Sequence, residues 1–256
     1  MKKSSALYNA RLLAYVLKEH QCMDLVVAPG SRNAPLIIAA NALDFETYSV
    51  PDERAAAFTA LGMALENGKP AAVICTSGSA AANFLPAVTG AYFQEVPLVV
   101  ITADRPAEWI GQGAGQTIKQ EGLFGQHILF EANLQREPHD ELAKVHNQRL
   151  LNEALIASQK GPVHINIPFD EPLYQQIEAP EKEFRSISFW GGRQVLRGQE
   201  ESDLARDFFE AKRVLLLAGQ MPPSAKLADL LTHPSSIFQA DQTRESRQPV
   251  SQPPVD

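Results

Sequence analysis

The chain has 256 residues, 45% hydrophobic and 21% charged, which excludes an intrinsically disordered protein and leaves room for one large or two modest domains. A net charge of −7, from 23 basic and 30 acidic residues, argues against a nucleic-acid surface but permits a local basic pocket. No apolar run reaches the roughly 18 residues of a membrane span, and two cysteines, Cys22 and Cys75, make no disulfide framework, so the expected compartment is a reducing cytoplasm.

In chain order, Ser5 is expected to cap a helix whose apolar positions Leu7, Ala10, Leu13, Ala14 and Leu17 share a face. Met23–Ala28 reads as a short strand ending at Pro29-Gly30, Ala34–Leu43 as a helix, and Thr47–Val50 as a second strand. The alanine-rich stretch Glu53–Asn67 predicts a helix that Gly68 terminates. Ala71–Thr76 then predicts a buried strand, Ala80–Ala91 a helix, and Leu98–Ala103 a β-branched strand. A glycine-rich loop follows from Asp104 to about Gly125, then a long helix over Asp140–Ser158 and a strand at Val163–Ile167. Such alternation specifies an α/β fold, a doubly wound parallel sheet covered on both faces, with right-handed crossovers.

The boundaries expected are a first domain over residues 1–178, a linker over 179–205, and over 206–256 the incomplete start of a second α/β domain. In that last part Val214–Gly219 predicts a strand and Ser224–Leu231 its helix, and the Gln-, Pro- and Ser-rich residues 239–256 predict a disordered tail.

In an open α/β sheet, ligands bind beyond the carboxyl ends of the strands. Four polar clusters fall there: Gly30-Ser31-Arg32, Asp52-Glu53-Arg54, Thr76-Ser77-Gly78-Ser79 and Asp104-Arg105-Pro106. Each alone has a plain structural reading, as turn, helix cap, dipole complement or solvated charge. Together, at one topological position, they point to one site. Cys75, inside an apolar strand, reads as core; His164, alternating with Val163 and Ile165, reads as a packed strand residue; His127, His139 and His146 read as surface or loop residues. The turn after the first strand lacks the further glycines of a dinucleotide fingerprint, Thr76–Ala80 is no hydrolase elbow, and no metal-ligand spacing occurs.

Ala28-Pro29-Gly30-Ser31-Arg32, Asp52-Glu53-Arg54, Thr76-Ser77-Gly78-Ser79-Ala80 and Thr102-Ala103-Asp104-Arg105-Pro106 resemble the thiamine-diphosphate-dependent synthase family of menaquinone biosynthesis, the 2-succinyl-5-enolpyruvyl-6-hydroxy-3-cyclohexene-1-carboxylate synthases. Gly113–Gln120 and Val163–Phe169 extend the resemblance to about residues 5–175. It implies a pyrimidine-binding domain in which Glu53 is catalytic and contacts the cofactor together with Thr76, Ser77 and Gly78. Ser31, Arg32, Arg105 and Gln116 would hold substrate. Implied cofactors are thiamine diphosphate and Mg²⁺, the latter normally held by a Gly-Asp-Gly segment that this sequence lacks, so the chain alone is expected to be inactive. Implied substrates are isochorismate and 2-oxoglutarate, and the implied assembly is a homodimer or homotetramer. The competing expectation is a non-catalytic binding or assembly module that keeps the α/β scaffold.

Overall fold

The computed structural model of the chain describes residues 2–180, 183–185, 187, 198–215 and 224–232. It divides into two units, Met1–Phe189 and Trp190–Asp256. In chain order the first unit contains β1 (Lys3–Ser5), α1 (Tyr8–Glu19), β2 (Asp24–Val27), α2 (Ala34–Asn41), β3 (Glu46–Ser49), α3 (Glu53–Asn67) and β4 (Ala71–Cys75). It continues with α4 (Ser79–Ala82), α5 (Leu85–Phe93), β5 (Leu98–Asp104), β6 (Phe130–Asn133), α6 (Glu141–Ala157), β7 (Val163–Pro168) and β8 (Gln176–Glu178).

Six strands form a sheet of order β3-β2-β4-β5-β7-β6, parallel throughout. Its central strands are apolar on both sides because both sides are covered. Leu25, Val27, Ile74, Ile101 and Ile165 point to the face packed by α1, α2 and α6. Val26, Val73, Cys75 and Val100 point to the opposite face, where α3 and α5 lie. Along α3, Ala56, Ala57, Ala60 and Ala64 are buried, and their small side chains let the helix lie close on the sheet. The doubly wound α/β expectation is thereby met.

Several local expectations are corrected. Ser5 does not cap a helix: it ends β1, which pairs antiparallel with β8, and α1 starts three residues later with Leu7 at its N-cap and no side-chain cap of its own. The missing acceptor comes from far along the chain. The Glu137 carboxylate accepts from the backbone N–H of Tyr8 at 2.8 Å and of Asn9 at 3.2 Å. Replacing Glu137 by Ala strands both donors and is expected to lower stability by about 1–2 kcal/mol, read as a lower denaturant midpoint at unchanged slope.

The single helix expected over Ala80–Ala91 is two, α4 and α5, because Pro86 has no N–H to give and its ring clashes with the carbonyl of Ala82 in a continuous helix. The edge strand β6 and the three-residue β1 and β8 are additions to the expected pattern; each is too short to carry a period. His164 is fully buried, edge-on to Phe124 at 4.7 Å between ring centroids, as a packed strand residue should be.

In the second unit, α7 (Gln199–Glu210) opens with Glu200 and Glu201 in its first turn, and begins inside the stretch expected to be a linker. The helix expected at Ser224–Leu231 is present as α8 (Ala225–Thr232), capped by the Ser224 hydroxyl, which accepts from Leu227 N–H. Of the strand expected at Val214–Gly219, Val214 and Leu215 are irregular and the rest lies outside the described residues, as does the tail 239–256.

Candidate active site

The chain winds one way from β2 to β3 and the other way to β4, so the sheet has its topological switch point between β2 and β4. The two turns that follow these strands meet there. After β2, Asn33 ties the turn from within: its Oδ1 accepts from Gly30 N–H at 2.9 Å and its Nδ2 donates to Ala28 C=O at 2.9 Å. Gly30 lies so close to the residue after β4 that a Cβ on it would stand 2.5 Å from Thr76 Cβ. The Arg32 N–H donates to Thr76 Oγ1 at 3.3 Å.

From this turn the Arg32 side chain runs inward, 7% exposed. One terminal nitrogen donates to Phe169 C=O at 3.1 Å and the other stands 3.3 Å from Glu171 Oε1. Burial, followed by the positive charge of Arg105, pulls the Arg32 guanidinium below its ordinary range, against Glu171 and Asp170. Two guanidiniums from different turns thus face one region and repel. Arg105 Nε is buried and has no hydrogen-bond partner among the described residues. A buried, unpaired guanidinium N–H beside a second cation is costly in isolation and becomes favourable when an anion enters.

Thr76, Ser77 and Gly78 are buried at the end of β4. Gly78 has φ +87, and a Cβ there would lie 3.0 Å from Gln116 Cα, so glycine is required both by conformation and by space. Gln116 itself is exposed, with φ 55. Glu53 opens α3 behind the N-cap Asp52, whose carboxylate accepts from Ala55 N–H at 2.7 Å. It is half-buried; Ala56 beside it is buried and Ala55 exposed. Burial first, and then the Glu53 charge, push the Cys75 thiol up, which places the carboxylate toward the end of β4. Ser31 is exposed on its turn.

The structure therefore brings Arg32 to Thr76 and to Arg105, and Gln116 to Gly78, at one edge of one sheet. The family model described as "Thiamine pyrophosphate enzyme, N-terminal TPP binding domain" matches residues 9–123, which hold these turns. A curated 2-succinyl-5-enolpyruvyl-6-hydroxy-3-cyclohexene-1-carboxylate synthase of Porphyromonas gingivalis is 42% identical over 225 residues, covering 85% of this chain and 39% of that protein. The synthase of the same name from Flavobacterium johnsoniae is 43% identical over 209 residues, 80% of this chain and 37% of the relative. That of Christiangramia forsetii is 39% identical over 270 residues, 96% of this chain and 46% of the relative. The chain is similar to an N-terminal part of these synthases. It spans less than half the length of the curated relatives it matches.

Beneath the family's expected contact residues lies a buried polar layer that sequence reasoning missed. Gln120 and Thr102 are fully buried, and Asp104 and Asn166 nearly so. Burial raises the Asp104 carboxyl above its ordinary range, partly offset by hydrogen bonds from Asn166 and Arg105 N–H and by the His164 ring. Thr102 Oγ1 lies 2.8 Å from His164 Nε2, and His164 Nδ1 lies 2.9 Å from Glu131 Oε1, which also accepts from Gly122 N–H at 2.8 Å. Burial pushes Glu131 up, but the His164 ring and the Gly122 N–H outweigh it and the net shift is downward. The signal that could have found this layer is the polar residue recurring in an apolar strand, Thr102 in β5 and His164 and Asn166 in β7, since a buried polar group must have a partner.

Proposed function

We propose that this chain supplies the pyrimidine-binding side of a thiamine-diphosphate-dependent transferase of the transketolase type, which decarboxylates 2-oxoglutarate and adds the succinyl unit to isochorismate. The observation that carries the reading is the pair of guanidiniums, Arg32 buried and Arg105 with an unpaired Nε, beside the Gly78 turn. Both substrates are dicarboxylates, and a planar fork of N–H donors matches a carboxylate in two parallel hydrogen bonds. Arg32 and Arg105 would bind carboxylates of isochorismate, with Ser31 and Gln116 as hydrogen-bond partners at the rim.

The residues present fit the pyrimidine end of the cofactor. Thr76, Ser77 and Gly78 form a turn of small residues, with the Gln116 backbone packed where a side chain at Gly78 would stand, and the pyrimidine ring would lie beside this turn. Glu53 has no hydrogen-bond or ion-pair partner of its own among the described residues, leaving its carboxyl free to hold or exchange a proton at N1′ of the pyrimidine. When bound, thiamine diphosphate supplies the carbon acid and electron sink that decarboxylation requires. No cluster of metal-ligating side chains occurs among the described residues, so Mg²⁺ and the diphosphate would be held elsewhere in the working enzyme, and this segment would be inactive by itself.

The working form would be a homodimer or homotetramer in the cytoplasm. Phe58 and Leu65 on α3 and Leu85 and Phe93 on α5 are apolar and exposed, Phe93 by 70%, on helices whose other faces already pack on the sheet. A second copy would cover them in an isologous contact. None of the described helices is long and apolar enough to cross a membrane.

Arg105→Ala is the cleaner test of the anion pocket, because Arg32 also holds Phe169 and Glu171. In a protein that carries this segment together with the remaining length of its relatives, it is expected to raise the KM for isochorismate about tenfold or more, from the loss of a charge-assisted hydrogen bond. The affinity for cofactor should change far less. An unchanged isochorismate KM sinks the assignment.

A further inference from the structure

We propose that Gln120 is a positioning residue: it fixes the Gly78 turn and, through Asn166 and Asp104, the backbone of Arg105. The argument is one of hydrogen-bond direction. Gly78 N–H can only donate, and it donates to Gln120 Oε1 at 2.9 Å. That fixes which way the Gln120 amide faces, so its Nε2 points the other way, donating to Ala103 C=O at 3.2 Å and to Asn166 Oδ1 at 2.9 Å. Asn166 is oriented in turn. Its Oδ1 also accepts from Thr102 Oγ1 at 2.8 Å, and its Nδ2 donates to Asp104 Oδ2 at 3.0 Å. The other oxygen of Asp104 accepts from Arg105 N–H at 2.7 Å. Gly78 N–H and Arg105 N–H can only donate and the Asp104 carboxylate can only accept, so neither the Gln120 nor the Asn166 amide can turn over without leaving a buried group unpaired.

The consequence is positional. Gln120 lies four residues beyond Gln116, whose backbone packs on Gly78, and the side chain of Gln120 returns to the same glycine. The loop carrying Gln116, the turn after β4 and the Arg105 backbone after β5 are thereby held in one frame by a residue with no exposed surface. What this frame serves rests on the function proposed above; the frame itself does not.

The experiment is amide hydrogen exchange, resolved by residue in NMR spectra of the 256-residue chain, with no ligand added. Gln120→Met fills the same volume without polar atoms. It is expected to speed exchange at Gly78 about tenfold and at Arg105 about twofold, relative to core amides of β4 and β5. Gln120→Glu keeps an oxygen toward Gly78 and is expected to return its protection to within about twofold of the unmodified chain. If Gln120 merely filled space, Met would change nothing and Glu would disturb both sites. Unchanged Gly78 exchange in the Met variant, or equal loss in both variants, overturns the proposal, and unchanged Arg105 exchange beside a lost Gly78 bond overturns the joining of the two. Should the Met variant not fold, Gln120→Asn takes its place. Its shortened amide cannot reach Gly78, and unaltered protection there is again fatal. Because no cofactor enters, a protein carrying this segment together with the remaining length of its relatives that failed to bind thiamine diphosphate would overturn the proposed function and leave this result standing.

Discussion

Glu53→Gln is expected to reduce turnover by about 10²–10⁴-fold, the range spanned by a positioned proton donor or acceptor, when assayed in a protein carrying this segment and the remaining length of its relatives. The substitution keeps the shape of the side chain and its place behind the Asp52 cap, so α3 should start where it does now. What it removes is the group proposed to hold and release a proton at N1′ of the pyrimidine. Among the described residues that carboxyl is half-buried, felt electrostatically by Cys75, and paired with no cation. A structural acid at a helix start is usually worth about 0.3–1 kcal/mol of stability and nothing in turnover. The two readings therefore separate on kcat. Cofactor affinity should fall only modestly, since Gln can still hydrogen-bond the ring. Turnover within a few-fold of the unmodified enzyme would reduce Glu53 to a dipole complement.

The sheet and its order of elements were legible in the sequence where burial is complete. Leu98–Ile101 and Ala71–Cys75, at the heart of the expected strands, are continuous apolar runs because helices cover both faces, and α3 is bounded as the alanine run, Asp52 and Gly68 together require. Legibility fails where a partner lies far away in sequence. Ser5 has the chemistry of a cap, but Glu137, 129 residues beyond Tyr8, does the capping, and no local pattern announces that. Pro86 was visible, and its conflict with a continuous helix over Ala80–Ala91 follows from the missing N–H alone.

For the site, the legible part was position. Arg32, Glu53, Thr76 and Arg105 follow parallel strands, and parallel strands put their ends at one edge. Gln116 came from resemblance, and its approach to Gly78 through a backbone contact could not be read from spacing. The supporting residues Asn33, Gln120 and Asn166 stayed hidden for a physical reason. They are buried, and their role lies in directions of hydrogen bonds that exist only once the strands are side by side.

Gly30→Ala should cost about 3 kcal/mol, the upper end of ordinary overpacking penalties, and it can be measured on this chain by denaturant unfolding. The new Cβ would stand 2.5 Å from Thr76 Cβ and 2.8 Å from its Cγ2. The Thr76 Cβ is fixed by the backbone that leaves β4 and cannot be turned away by rotating χ1, so relief requires the turns to move apart. That movement would stretch the Arg32 N–H to Thr76 Oγ1 contact at 3.3 Å and shift the buried guanidinium that follows it. The partner substitution identifies the cause. Thr76→Gly removes the obstructing atoms and, although destabilising alone, should make the double variant more stable than the sum of the two losses by about 1–2 kcal/mol, as expected for residues in direct contact. Additive losses would mean that the turns after β2 and β4 are held together by something other than this contact, and that the absence of a side chain at position 30 is a matter of turn geometry rather than of close approach between strand ends.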